Sequence, residues 1–319
     1  MATSASTPTS TRPPNSVFPV KQSGHRIWPE DEATFSMDKT CAIKHDFHQH
    51  PLMQLDELEK LANKLMPLGG CRFIEPGTKI KSAFKHGDKH PDGREISEVF
   101  RRLEEPGSWI ALYNVERDPA YAKFVQDALE SVKHLIDRQE PGMFNAQGFM
   151  FISAPPSVTP FHIDRENNFW LQIRGHKTMS VWNADNRHVV SGEHVERFIV
   201  TKSLEHVKLN DAYRPFALER DFAPGDGVYF PSTAPHATTS EASWVTPGDG
   251  ISISIGIVFY TSVTQKHANI HAWNRVLRKI GMNPKFPGAS ALDAIKYPLG
   301  KAFVTTKKLL RGYEPPTGF

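Results

Sequence analysis

Between Gly148 and Tyr260 the sequence is divided into short runs of β-branched and aromatic residues separated by Pro, Gly and Asp: GFMFIS, NFWLQIRG, KTMSVW, RFIV, GVYF and ISISIGIVFY. Short strands at such close intervals leave no room for helical crossovers, so they indicate an antiparallel barrel or sandwich. The last run alternates. Ser252, Ser254 and Gly256 fall on one face, and Ile251, Ile253, Ile255 and Ile257 on the other. One wall is therefore small and polar, as a barrel lumen requires.

Helical patterning flanks this block. In MQLDELEKLANKLMPLGG, Leu55, Leu58, Leu61 and Leu65 share a face, and Gly69 and Gly70 provide the stop. In RDPAYAKFVQDALESVKHLIDR, Asp118 suits the cap and Pro119 the first turn. Tyr121, Phe124, Val125, Ala128, Leu129, Val132, Leu135 and Ile136 form its apolar stripe. After the β block, KHANIHAWNRVLRKIGM places Ile270, Trp273, Leu277 and Ile280 on a further stripe. No internal repeat is visible. The expected organisation is a mobile Ser/Thr/Pro-rich leader over residues 1–24, one domain over 25–261 with an N-terminal helical elaboration, and a C-terminal helical segment over 262–319.

The 319 residues carry a net charge of +3, too balanced to make nucleic acid the default partner of the whole molecule. The excess is local. From residue 262 onward ten Lys or Arg face only Asp293 and Glu314, a balance of +8 that leaves −5 elsewhere. Two cysteines, Cys41 and Cys71, exclude a disulfide framework and a Cys-based zinc cluster, which fits a reducing cytoplasm. No stretch is apolar for long enough to span a bilayer, and the first residues lack the apolar core of a secretory signal.

Three His-x-Asp pairs occur. His86/Asp88 and His90/Asp92 lie in KHGDKHPDGRE, whose Gly and Pro indicate an exposed turn with solvated side chains. His162/Asp164 differs, because it follows the strand GFMFIS and a Pro-rich bend and leads into NFWLQIRG. On a strand the two side chains share a face, and a rigid element can hold metal ligands in place. The missing third ligand is best sought at another strand end, where His236 follows VYFP. His188, His194 and His206 are competitors in charged, exposed stretches. Two His and one carboxylate on one face of a metal leave the opposite positions open, the arrangement of non-haem Fe(II) oxygenases. Lys177 lies one strand and the Gly175 turn beyond His162, so it can return to the same cavity. A buried lysine there calls for an anionic ligand.

VTPFHID, NFWLQIRGHK and PGDGVYFPSTAPH together resemble, in order and spacing, the JmjC and cupin-like Fe(II)/2-oxoglutarate oxygenases. The pattern is closest to the branch containing the asparaginyl hydroxylase of hypoxia-inducible factor. The resemblance spans roughly residues 145–260. It implies that His162, Asp164 and His236 are iron ligands and that Lys177 and Thr159 hold the distal carboxylate of 2-oxoglutarate. Asn168 then positions the metal-proximal end of this cosubstrate, and Trp170 lines its pocket. Two departures stand out. Gly256 occupies the place of a second asparagine on the last long strand, and the tyrosine that contacts the distal carboxylate has Tyr113 as its nearest candidate.

The expected fold is mainly β with flanking helices, a double-stranded β-helix. The expected activity is an Fe(II)- and 2-oxoglutarate-dependent oxygenase, a hydroxylase using O2 on a protein, peptide, amino acid or small-molecule substrate. By the same resemblance the C-terminal helices form a homodimer contact. The rivals are a zinc-dependent hydrolase with the same three ligands, which leaves Lys177 and Thr159 unexplained, and a non-catalytic cupin-like binding module.

Overall fold

Two antiparallel sheets enclose the site, and the first two strands of the larger one precede the first α-helix. The structure, a computed structural model, describes residues 24–241, 243, 250–311 and 314–319. The expected leader, Gly24 apart, lies outside the described residues. In chain order the elements are β1 (Ile27–Pro29), β2 (Cys41–His45), α1 (Leu55–Leu65), β3 (Cys71–Phe73), α2 (Ile96–Arg101) and β4 (Trp109–Tyr113). Helix α3 (Pro119–Gln139) leads into β5 (Phe144–Ser153), β6 (Ser157–His162), β7 (Asn167–Arg174) and β8 (Lys177–Trp182). The chain continues through α4 (Gly192–Thr201), β9 (Ala217–Phe222), β10 (Asp226–Phe230), β11 (His236–Ser240) and β12 (Ser252–Tyr260) and ends with α5 (Ser262–Lys279) and α6 (Asp293–Arg311).

One sheet has eight strands in the order β1-β2-β10-β7-β12-β5-β4-β3, and the other has four, β6-β11-β8-β9. This is the expected double-stranded β-helix with flanking helices. The alternation of β12 decides which face goes where. Ile253, Ile255 and Ile257 are fully buried in the main core with Val125, Leu129 and Val132 of α3, while Ser254 looks into the space between the sheets. Helix α3 has the expected boundaries. The Asp118 side chain accepts from the Ala120 amide, Pro119 sits at the first position, and all eight residues of its stripe are buried. Helix α1 buries Leu58, Leu61, Ala62 and Leu65, and a 3₁₀ turn ends at Gly69 with φ +64.

Two expectations are corrected. RFIV is not a strand but part of α4, where Ser191 caps the helix by accepting from the His194 amide and Val195, Phe198 and Ile199 recur at helical spacing on the buried side. Residue type favoured a strand, but the cap and the 3.6-residue period prevail over β-propensity. In α5 the stripe read as buried is mostly not. Ile270 is buried, Trp273 and Leu277 are half-buried, and Ile280 is 70% exposed, while Ala268, Asn269, His271, Ala272 and Asn274 face inward. Asn269 and Asn274, whose side-chain amides donate to the Gln265 and Lys285 carbonyls, and His271 take the packed face in place of the apolar residues.

Candidate metal and anion site

Pairing between β6 and β11 creates the centre of the site. His162 and His236 stand opposite each other in the antiparallel register, with ring centroids 4.1 Å apart. A β-bulge follows between His236 and Thr238, which re-aims the strand next to the site. Asp164, two residues beyond His162, places its carboxylate oxygens 3.8 Å from His162 Nε2 and 3.4 Å from His236 Nε2. One ligand atom from each of the three lies within 4.8 Å of the others. Asp164 is itself held in place where its carbonyl accepts from the Thr233 amide at 2.8 Å.

The imidazoles are already oriented. His162 Nδ1 donates to the Pro160 carbonyl at 2.8 Å and His236 Nδ1 to the Ala234 carbonyl at 3.0 Å, so each Nε2 presents its lone pair toward Asp164. Burial, with the neighbouring His162 adding to it, pushes the His236 pKa down to about 4. At neutral pH its imidazole is therefore neutral and competent to ligate. Both His are buried, whereas the Asp164 side chain is 33% exposed, so the triad opens on the Asp164 side.

The cavity between the sheets runs inward from this triad. The large sheet contributes Phe149, Phe151, Asn168, Trp170 and Ser254, and the small sheet Thr159, Lys177, Met179 and Thr238. Thr159, Asn168, Trp170 and Lys177, all expected at the site, are thus brought together with His162, Asp164 and His236. Gly175, with φ +63, makes the crossing from β7 in one sheet to β8 in the other. A Cβ there would lie 2.5 Å from the Ile251 carbonyl oxygen, so a side chain is excluded and Lys177 is directed back into the cavity.

Lys177 is the chemical signal of this cavity. It is 2% exposed, its Nζ donates to Ser153 Oγ at 3.2 Å, and burial alone pushes its pKa down to about 8. No carboxylate among the described residues pairs with it. Ser153 is in turn joined to Ser157, and Ser157 to Ser240, through hydroxyls 3.0 and 3.2 Å apart. Asn168 Oδ1 and Ser254 Oγ, which also face the cavity, are buried without hydrogen-bond partners. Buried polar groups are otherwise paired, so an unpaired cation with two unsatisfied oxygens marks a place for a polar ligand. The cavity is narrow, about 30 Å³, the room of about one water. A ligand larger than that requires side chains of the lining to move.

Gly256 has a structural reason for lacking a side chain: a Cβ there would lie 3.1 Å from Asn168 Oδ1 and 3.2 Å from its Nδ2. The small residue makes room for the Asn168 amide. Tyr113 does not line the cavity. Its hydroxyl faces His86 Nε2 at 3.4 Å, toward the side of the metal ligands, and the position beside Lys177 is taken by Ser153. His86, read as a solvated turn residue, is corrected too. It is half-buried against Tyr113 and Phe84, its Nδ1 is buried without a partner, and burial lowers its pKa. Phe84 stacks on His162 with centroids 4.3 Å apart and planes 11° from parallel. Nothing in KHGDKHPDGRE signals this packing, because it depends on where the loop is laid. Ser254 was legible in the alternation of β12, and Ser153 was not. His188, His194 and His206 line an open cleft elsewhere.

Residues 125–265 match the JmjC domain family. No curated protein matches the chain by sequence. Among solved structures, Escherichia coli ycfD is 13% identical, covers 88% of this chain and 67% of its own, and gives a TM-score of 0.44. YcfD, described as a ribosomal oxygenase from Escherichia coli in complex with cobalt and 2-oxoglutarate, is 12% identical over 84% of this chain and 64% of its own, at 0.43. SnoK, a non-heme alpha-ketoglutarate-dependent carbocyclase from nogalamycin biosynthesis, is 11% identical over 73% and 86%, at 0.41. The chain spans about two thirds of the length of the YcfD chains. At this degree of overlap the likeness fixes neither substrate nor partner.

Proposed function

We propose that this chain, whose residues 125–265 match the JmjC domain family, is an Fe(II)- and 2-oxoglutarate-dependent oxygenase that hydroxylates a substrate still to be identified. The observation that carries the reading is Lys177, a buried cation without a carboxylate partner, across a two-sheet cavity from a His-Asp-His triad.

The residues present fit the metal and the cosubstrate. Two imidazole Nε2 atoms and one carboxylate form a donor set suited to Fe(II) with open positions. Lys177 and Thr159 hold the distal carboxylate of 2-oxoglutarate, Asn168 and Ser254 offer polar contacts along its length, and Trp170 walls the pocket. When bound, the iron supplies the redox centre at which O2 is reduced while 2-oxoglutarate is converted to succinate and CO2. The protein's part is positional. The Pro160 and Ala234 carbonyls fix both imidazoles, Thr233 fixes the Asp164 backbone, and Lys177 sets the register of the diacid against the metal. Phe84 over His162 keeps water from that flank. A zinc hydrolase needs a general base beside the metal and gives Lys177 no task.

The finer readings belong to the same proposal. The motifs VTPFHID and NFWLQIRGHK favour the branch of the asparaginyl hydroxylase, with Gly256 as the departure. Residues 25–261 serve as the oxygenase domain and 262–319 as an appended helical segment. A homodimer through that segment is supported by the exposed apolar residues Ile295, Leu299, Phe303 and Leu310 of α6. Two unpaired cysteines, Cys41 and Cys71, suit a reducing, cytoplasmic setting. Among the described residues no helix is long and apolar enough to cross a membrane.

The test is succinate release from 2-oxoglutarate with Fe(II) and O2 across candidate protein, peptide and amino-acid substrates, with mass spectrometry for one added oxygen. Tight zinc binding without any 2-oxoglutarate turnover would return the protein to one of its rivals.

A further inference from the structure

A roomier cavity, of about 290 Å³, lies behind the segment that bears the metal ligands. The two cavities share no lining residue. Asp164 and Asn168 face the metal cavity, while Arg165 and Asn167 face this one, so the chain between β6 and β7 is a wall common to both. Helix α5 and the chain end form the other sides. Arg165 Nη1 donates to the Thr317 carbonyl at 2.9 Å, Gln265 Nε2 donates to the Phe319 carbonyl at 3.1 Å, and Gly318 lies against the Tyr260 ring.

One end of this cavity carries two side chains whose hydrogen bonding the fold leaves incomplete, Arg187, which also borders the open cleft of His188 and His194, and His271. Arg187 places its guanidinium carbon 3.9 Å from the centre of the Phe286 ring. Its Nε and Nη1 donate to the Asp185 and Val190 carbonyls, both at 3.3 Å, whereas Nη2 is buried without a partner. No carboxylate lies within ion-pair distance of it among the described residues; burial pushes its pKa down to about 10, against the opposing charge of nearby Asp185. On the same Phe286 ring, 4.8 Å away and edge-on, sits His271, 3% exposed, with a buried and unpartnered Nδ1. Arg278 and Lys296, which also act on His271, are satisfied by Glu196 and Asp293. The polar atoms left over are therefore Arg187 Nη2, a donor, and His271 Nδ1, which donates in the tautomer that carries its proton there.

The rest of the cavity shows what such a ligand would look like. Ile199, Ala268 and Phe319 make apolar wall, and the acids that line it, Asp38, Glu140 and Asp185, disfavour a second negative charge. Glu140 is engaged, accepting from Thr261 Oγ1 at 2.6 Å. We propose that this cavity is a second ligand site, separate from the metal cavity, for a small monoanionic carboxylate with an apolar body, its carboxylate on Arg187 and His271 and its body along Ile199 and Ala268. Arg is suited to this role because its planar fork pairs with a carboxylate while its face stacks on an aromatic ring.

Benzoate is the probe, titrated calorimetrically into the full-length chain and into Lys177→Met, which removes the cation of the metal cavity. In both chains benzoate binds saturably, and Arg187→Gln, introduced into each, weakens that binding by about tenfold or more, the worth of one charge-assisted hydrogen bond. Benzylammonium, of the same shape and opposite charge, does not bind. Photolabelling of the wild-type chain with 4-azidobenzoate gives a readout that needs no folded variant: benzoate-protected label falls between residues 187 and 199 or between 263 and 287. The proposal is overturned by absence of saturable binding in Lys177→Met, by an Arg187→Gln protein that binds as the parent does, by equal binding of benzylammonium, or by label confined to residues 149–162 or 168–179, which line the metal cavity.

Discussion

Replacing Lys177 with Met separates two effects that have opposite signs. The ammonium is buried, hydrogen-bonded to Ser153 Oγ alone, and its pKa is pushed from 10.5 to about 8. A lysine with a depressed folded pKa opposes folding while it is charged. That cost is present in full below about pH 8 and disappears as pH rises from there through the unfolded value near 10.5. A shift of this size corresponds to about 3 kcal/mol. Met has a similar volume and no charge, and it gives up one hydrogen bond worth about 1 kcal/mol. Lys177→Met should therefore stabilise the ligand-free protein at pH 7 by about 2 kcal/mol, and the gain should vanish above pH 10. The same substitution removes the cation proposed to pair with 2-oxoglutarate, at a cost of about 2–5 kcal/mol, or roughly 30-fold to several thousand-fold in Kd. Urea melts across pH give the first number, and calorimetric titration of 2-oxoglutarate into the Mn(II)-loaded protein gives the second. A variant that is less stable than the parent at pH 7, or one that binds 2-oxoglutarate unchanged, refutes the reasoning.

Anaerobic addition of Fe(II) and 2-oxoglutarate should produce a visible charge-transfer band, and Asp164→Ala should abolish it by removing the one charged ligand of the triad. Gly256→Ala places a methyl 3.1 Å from the Asn168 amide oxygen, so 2-oxoglutarate turnover should fall while the melting temperature changes by only a few degrees; unchanged turnover would show that Asn168 is not held in a productive position. Light scattering of the full chain across a salt series should report a dimer, and replacing the exposed Leu299 and Phe303 with Glu should give a folded monomer. A monomer at every salt concentration defeats the dimer contact.

What could be read from the sequence follows from the range of the interactions involved. Helix α3 was legible because its cap, its first-turn Pro and its eight-residue stripe all act within the helix itself. The two faces of β12 were legible because a period of two requires no partner to assign them. The RFIV run misled because four residues cannot distinguish a buried helix segment from a strand, and the deciding Ser191 cap lies outside them. In α5 the apolar stripe misled because burial there was set by what α4 and α6 present to the helix, information absent from its own period.

The candidate site divides along the same line. The sequence by itself determined that His162 and Asp164 act from one short segment, that Gly175 turns the chain so Lys177 can come back, and that β12 offers a small polar wall. Those are consequences of backbone geometry over a few residues. Only the tertiary structure decided that His236, 74 positions after His162, stands opposite it, since that depends on the β6–β11 register. Tertiary packing also left Lys177 beside Ser153 without a counter-ion, laid Phe84 over His162, and gathered Arg187, His271 and Phe286 around a second cavity. Each of these joins segments with no local reason to meet, and burial, rather than any pattern along the chain, leaves the unpaired polar atoms on which both proposed ligand sites rest.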